Sequence, residues 1–188
     1  MIVGAQDLPA AVFVFKKDKS VAAAWDAVNK IAAREGALRG EVHESKVPFL
    51  EGLYSWNQSV DPANSFLCIY SHAGKPGVAP SNSPTRDELV KWEELADALP
   101  RGVRHLWLLG CDTSCALEVW NELQVPVAHR CLVTTESKLW QPFIEFFARE
   151  ISVQDIRSND EVFERLKADA PELANLTTYS INPNWKPR

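Results

Sequence analysis

The sequence predicts an α/β fold, a three-layer sandwich with a mostly parallel sheet between helices on both faces. Three observations point there. Short apolar runs rich in β-branched and aromatic residues recur at 11–17, 66–71, 105–110 and 129–134. Segments of helical amphipathic period fall between them. The 188 residues are 46% hydrophobic, with 7 Trp and 8 Phe, so the chain is far too apolar for disorder and is read as a single domain over 1–188.

The first strand is AVFVFKK at 11–17. A helix follows over 21–34, with Val21, Ala24, Trp25, Val28, Ile31 and Ala32 on one face. Gly36 and Gly40 punctuate its exit, and a weak alternation over 41–47 suggests a second strand at a sheet edge. FLCIYS at 66–71 is a buried strand opening into the surface loop HAGKPGVAPSNSP. Thr85 with Glu88 has the form of a capping box for a helix to Leu99, with Leu89, Trp92, Leu95, Ala96 and Leu99 inward. Pro100 and Gly102 end it. HLWLLG at 105–110 is another buried strand, followed by a helix from Ser114 or Cys115 to Gln124. A strand at 129–134, a helix at 138–150, a more polar helix at 160–168 and a weak strand at 176–181 complete the chain.

A net charge of -5 and the absence of a Lys/Arg cluster argue against nucleic acid as a partner. No apolar stretch approaches the roughly 18 residues of a membrane span, and no basic region precedes the first apolar run. The expected location is cytoplasmic. Cys68, Cys111, Cys115 and Cys131 need no disulfide. The spacing of Cys111 and Cys115 lacks the second pair that a zinc site requires, and no GxGxxG or GxxxxGK[ST] is present, so no metal or other cofactor is expected.

In open α/β sheets functional groups gather where the carboxyl ends of strands meet the following loops. His72 and Cys111 both occupy such ends. A cysteine nucleophile needs an exposed thiol, an imidazole to take and return its proton, and donors aimed at the developing oxyanion. Cys111 just ahead of a helix, His72 on an adjacent strand end, and the backbone amides of Ala73 and Cys111 would supply these.

Read as motifs, FLCIYSHAGKPG and HLWLLGCDTS resemble the caspase-like superfamily of cysteine peptidases, nearest its CHAT branch. The order of elements carries the likeness over roughly 11–150, and the specific matches lie at 71–74 and 108–114. The resemblance implies a peptidase in which His72 is general base and acid, Cys111 is the nucleophile of an acyl-enzyme, and backbone amides hold the oxyanion. It also implies a protein or peptide substrate and an activating or regulatory protein partner. At one position the chain departs from the family: the Gly that follows the His there is Ala73 here, and Gly comes one later as Gly74. Ala supplies an N–H but resists positive φ. The alternative expectation is therefore a catalytically inactive interaction module of the same fold.

Other candidates have plainer readings. Cys115 falls inside the helix, Cys68 and Cys131 fall inside strands, and His43, His105 and His129 lie at strand positions away from Cys111. Trp25, Trp92, Trp120 and Trp140 recur on inward helical faces. Asp112 would either cap the helix amides or, beside the nucleophile, select a basic residue in the substrate. Pro76, Gly77, Pro80 and Pro84 form either a gate or a stiff connection.

Overall fold

The computed structural model describes residues 9–17, 26, 38–135, 140–150 and 162–186. Of the helix expected over 21–34 only Asp26 is described, and it is helical. The N-terminal eight residues, residues 138–139 and the start of the helix expected at 160–168 also lie outside the described residues.

Eight strands are described: β1 (Ala10–Phe15), β2 (Leu38–His43), β3 (Phe66–Gly74), β4 (Gly77–Ala79), β5 (Val90–Lys91), β6 (Val103–Leu109), β7 (Ala128–Thr134) and β8 (Thr177–Ile181). The main sheet runs in the order β2-β1-β3-β6-β7-β8. Its first five strands are parallel, and β8 closes it antiparallel to β7. The fold class is the expected α/β sandwich, with β2 at one edge.

Alternation along the central strands feeds two cores. Ala11, Phe13, Phe15, Leu67, Ile69, Leu106 and Leu108 meet the helices α1 (Lys46–Ser59), α2 (Trp92–Asp97) and α3 (Cys115–Glu122). On the opposite face Ala10, Val12, Val14, Phe66, Cys68, Tyr70, Trp107 and Leu109 meet α4 (Trp140–Glu150), α5 (Val162–Asp169) and α6 (Pro171–Ala174). Burial on both faces explains why these strands read as unbroken apolar runs rather than alternating ones. Trp56, Trp92 and Trp107 are fully buried. Each such ring removes roughly 150–250 Å² from water, about 4–6 kcal/mol before entropy is counted.

Three expectations need correction. The helix α1 was not anticipated, although Phe49, Leu53 and Trp56 carry its buried stripe, and it takes Lys46 and Val47 from the strand expected over 41–47, which instead runs Leu38–His43. The helix expected from Thr85 to Leu99 is shorter. Glu88 does accept the Thr85 N–H at 2.9 Å, but this closes only a turn. Buried Val90 then pairs with Val78 of β4, and the helix starts at Trp92 with Glu94 accepting the Lys91 N–H. Lastly, the surface loop expected after Ser71 begins as strand, because β3 continues to Gly74 and turns back as β4.

Among the described residues, no helix is long and apolar enough to cross a membrane.

Candidate active site

β3 leaves the main sheet at its carboxyl end. Ser71 is its last residue paired with β1, and Tyr70 its last paired with β6. Beyond them His72, Ala73 and Gly74 pair with Ala79, Val78 and Gly77 across the turn at Lys75 and Pro76. Gly77 is required there: its φ is +152°, and a Cβ would fall 2.0 Å from the Val90 carbonyl oxygen of β5. Pro76, Gly77 and Pro80 thus belong to a hairpin, with the Lys17 N–H donating to the Pro80 carbonyl at 2.9 Å. That bond sets β4 on the β1 side of β3, leaving the other edge of His72 and Ala73 toward β6.

The backbone directions follow from the ladder. In a parallel sheet the N–H groups of alternate residues point to opposite neighbours. Phe66 N–H donates to Pro9 on the β1 side, so His72 does likewise and the Ala73 N–H turns toward β6. His105 N–H donates to Ser65 on the β3 side, while Gly110 N–H donates to Thr134 Oγ1 and Asp112 N–H to the Thr135 carbonyl on the β7 side. Cys111 lies beyond the end of β6, in the turn between these two bonded residues. Of the two amides expected to act as oxyanion donors, that of Ala73 lies on the extension of β3 and that of Cys111 in the turn after β6.

Gly110 closes that gap. A Cβ on it would lie 2.9 Å from the Ala73 methyl, 2.9 Å from the Ser71 carbonyl oxygen and 3.2 Å from Thr113 Cγ2. The residue before Cys111 thus abuts both residues that flank His72. His72 is half-buried and Cys111 exposed.

Alternation along β3 puts His72 on the same face as Cys68 and Tyr70. Cys115, the first residue of α3, packs instead against the opposite core. A buried cation lies beside this rim: Lys16 follows the last β1 residue paired with Ser71, and its Nζ donates to Tyr70 Oη at 2.8 Å.

Two buried hydroxyls, which the sequence reading passed over, fasten the turn that carries Cys111. Thr113 Oγ1 lies 3.1 Å from the Leu108 carbonyl and 3.0 Å from that of Thr134, and accepts the Thr134 N–H at 2.8 Å. Thr134 Oγ1 accepts the Gly110 N–H at 2.9 Å and lies 2.7 Å from the Gly110 carbonyl. Thr113 N–H also donates to the Thr134 carbonyl at 3.2 Å. In sequence each Thr merely follows an apolar run or a turn, so only the pairing of β6 with β7 reveals them.

The helix after Cys111 opens on amides that are already bonded. Cys115, Ala116 and Leu117 N–H groups donate to the carbonyls of Asp112, Thr113 and Ser114, so these amides are engaged within the turn. Asp112 does not cap the helix with its side chain either. The N-cap is Ser114, without a side-chain bond, and Asp112 is exposed at φ +51°, a conformation Asp tolerates better than most residues. Ala73 and Gly74 have ordinary φ, and a Cβ at Gly74 would meet only Pro76 Cδ at 3.9 Å. Ala73 therefore sits without backbone strain.

The remaining candidates are structural. Burial pushes the Cys68 and Cys131 thiols far above their ordinary range. His105 stacks on Phe66 at 4.5 Å, and His129 stacks on Trp185 at 5.7 Å. His43 bonds Glu41 at 2.7 Å on β2. Burial of Glu41 raises its pKa, but hydrogen bonds from His43 and Arg39 outweigh that and hold the carboxyl below its usual range. Among the described residues no group of three His, Cys, Asp or Glu is disposed to hold a metal ion. No family model, no curated protein and no solved structure matches this chain.

Proposed function

We propose that the protein is a cysteine peptidase of the caspase-like type, with Cys111 as nucleophile and His72 as its proton-transfer partner. One observation carries the reading: Gly110, directly before the exposed Cys111, fits against Ser71 and Ala73 on either side of His72 only because it has no side chain. Two strand ends are thereby held side by side, as a dyad needs.

In this reading the Cys111 sulfur attacks the peptide carbonyl carbon while His72 takes the thiol proton. The resulting oxyanion accepts hydrogen bonds from the Ala73 and Cys111 amides. The C–N bond breaks as His72 gives its proton to the leaving amine, and a thioester remains on Cys111. Water then loses a proton to His72 and attacks the thioester, releasing the acid and restoring the thiol. Ala73 serves as well as Gly here, because an extended residue offers the same N–H. The hairpin turns on Gly77 rather than Gly74, which contributes only its backbone beside the site, and the exposed Asp112 carboxylate beside Cys111 favours a basic side chain in the substrate.

Reaction with a peptidyl acyloxymethyl ketone, followed by mass mapping, tests this. One adduct per chain is expected at Cys111. Cys111→Ala abolishes it, Cys115→Ala spares it, and His72→Ala slows it by about 100-fold, the lower range for general acid–base catalysis. Slow labelling spread over several cysteines, without dependence on His72, overturns the peptidase reading in favour of an inactive interaction module.

A further inference from the structure

We infer that Thr113 and Thr134 are positioning residues that hold the Cys111 turn in its reactive geometry, an inference that rests on Cys111 being the reactive group. Both side chains are only 1% exposed, so each hydroxyl lies where an unmade hydrogen bond cannot be replaced by water. A Thr hydroxyl donates once and accepts up to twice. Thr113 accepts from Thr134 N–H and donates to the Leu108 or Thr134 carbonyl. Thr134 accepts from Gly110 N–H and donates to the Gly110 or Leu108 carbonyl. The two hydroxyls thus bind the residue before Cys111 to the end of β7, and the residue two after it to the same strand.

Between these anchors lies Asp112, at φ +51°. A non-glycine residue persists in that region only when its surroundings fix it. The two bonded ends supply that constraint. Gly110, pressed against Ser71 and Ala73, leaves the turn no room to slide toward β3. The thiol is thereby aimed from both sides, by the hydroxyl pair toward β7 and by the close fit against β3. Nothing in this arrangement requires the threonines to touch a substrate, so neither is a catalytic residue.

Thr113→Val and Thr134→Val keep the shape and remove the hydroxyl, whereas Thr113→Ser and Thr134→Ser keep the hydroxyl and remove the methyl. The readout is the second-order rate of Cys111 alkylation by iodoacetamide from pH 5 to 10, in the full chain, beside thermal unfolding. Each Val variant should lower the rate at neutral pH by at least tenfold and move the midpoint of the profile. The Ser variants should restore the wild-type midpoint even where their unfolding temperature falls. A folded Val variant with the wild-type profile overturns the inference. So does a folded Ser variant that loses the profile, and this arm decides the matter if the Val variants fail to fold.

Failure of the peptidase reading looks different: His72→Ala then leaves wild-type Cys111 alkylation unchanged. Even so, a shifted midpoint in the Val variants supports positioning, and an unshifted one overturns it.

Discussion

The two ends of β3 and β6 contrast sharply although they belong to the same pair of strands. At the amino ends Phe66 stacks on His105, Arg104 N–H donates to Ser65 Oγ, and buried Asn57 donates to the Gly102 carbonyl while accepting the Arg101 N–H. At the carboxyl ends the side chains become half-buried or exposed, β3 peels away into a hairpin, and a left-handed Asp112 follows Cys111. One end is packed and hydrogen-bonded shut. The other carries the half-buried His72 and the exposed Cys111. Substitutions at the first should therefore act through stability, and substitutions at the second through reactivity.

Phe66→Ala should have the largest effect, about 3–5 kcal/mol of destabilisation, because a fully buried ring in contact with His105, Trp107 and Phe147 leaves a cavity. Chemical denaturation measures it, and Cys111 alkylation of the fraction still folded should match the wild type. A selective loss of Cys111 reactivity would break the contrast between the ends.

Gly110→Ala comes next, at about 1–3 kcal/mol, the usual range for overpacking. Here the alkylation rate of Cys111 should fall well beyond what the unfolded fraction accounts for. Ala73→Gly in the same chain should recover part of it by removing one of the two closest contacts. Full reactivity in Gly110→Ala would show that the fit between the strand ends does not hold the site.

A smaller effect belongs to neither end. The Glu41 carboxyl, bonded by His43 and Arg39, has a lowered pKa in the folded chain. Its contribution is present above the unfolded value and is lost as pH falls through the folded one, so it fades only in acid, below about pH 4. Glu41→Gln should flatten that part of the stability–pH curve and leave Cys111 untouched. An unchanged acid limb would count against the assignment.

Much of the architecture was legible in the sequence because it follows from local pattern. Continuous apolar runs became the buried strands β1, β3, β6 and β7, and the stripe with Trp120 became α3. The helix α1 escaped because Pro48, Gly52 and a polar second half weaken its period, though Phe49, Leu53 and Trp56 still form the stripe. The capping box at Thr85 did form its bond, but the pairing of Val90 with β4 overrode the helix beyond it. The candidate site was legible in part for the same reason. His72 and Cys111 stand out at the ends of apolar runs, whereas the Thr113–Thr134 pair and the fit of Gly110 against Ala73 depend on which strands become neighbours.

The most direct test of the account is the pH–rate profile of Cys111 alkylation by iodoacetamide, measured in the wild type and in His72→Ala. Wild-type Cys111 should react about 100-fold faster than Cys111 of His72→Ala at neutral pH, because His72 takes the thiol proton. Identical profiles in the two proteins would contradict it.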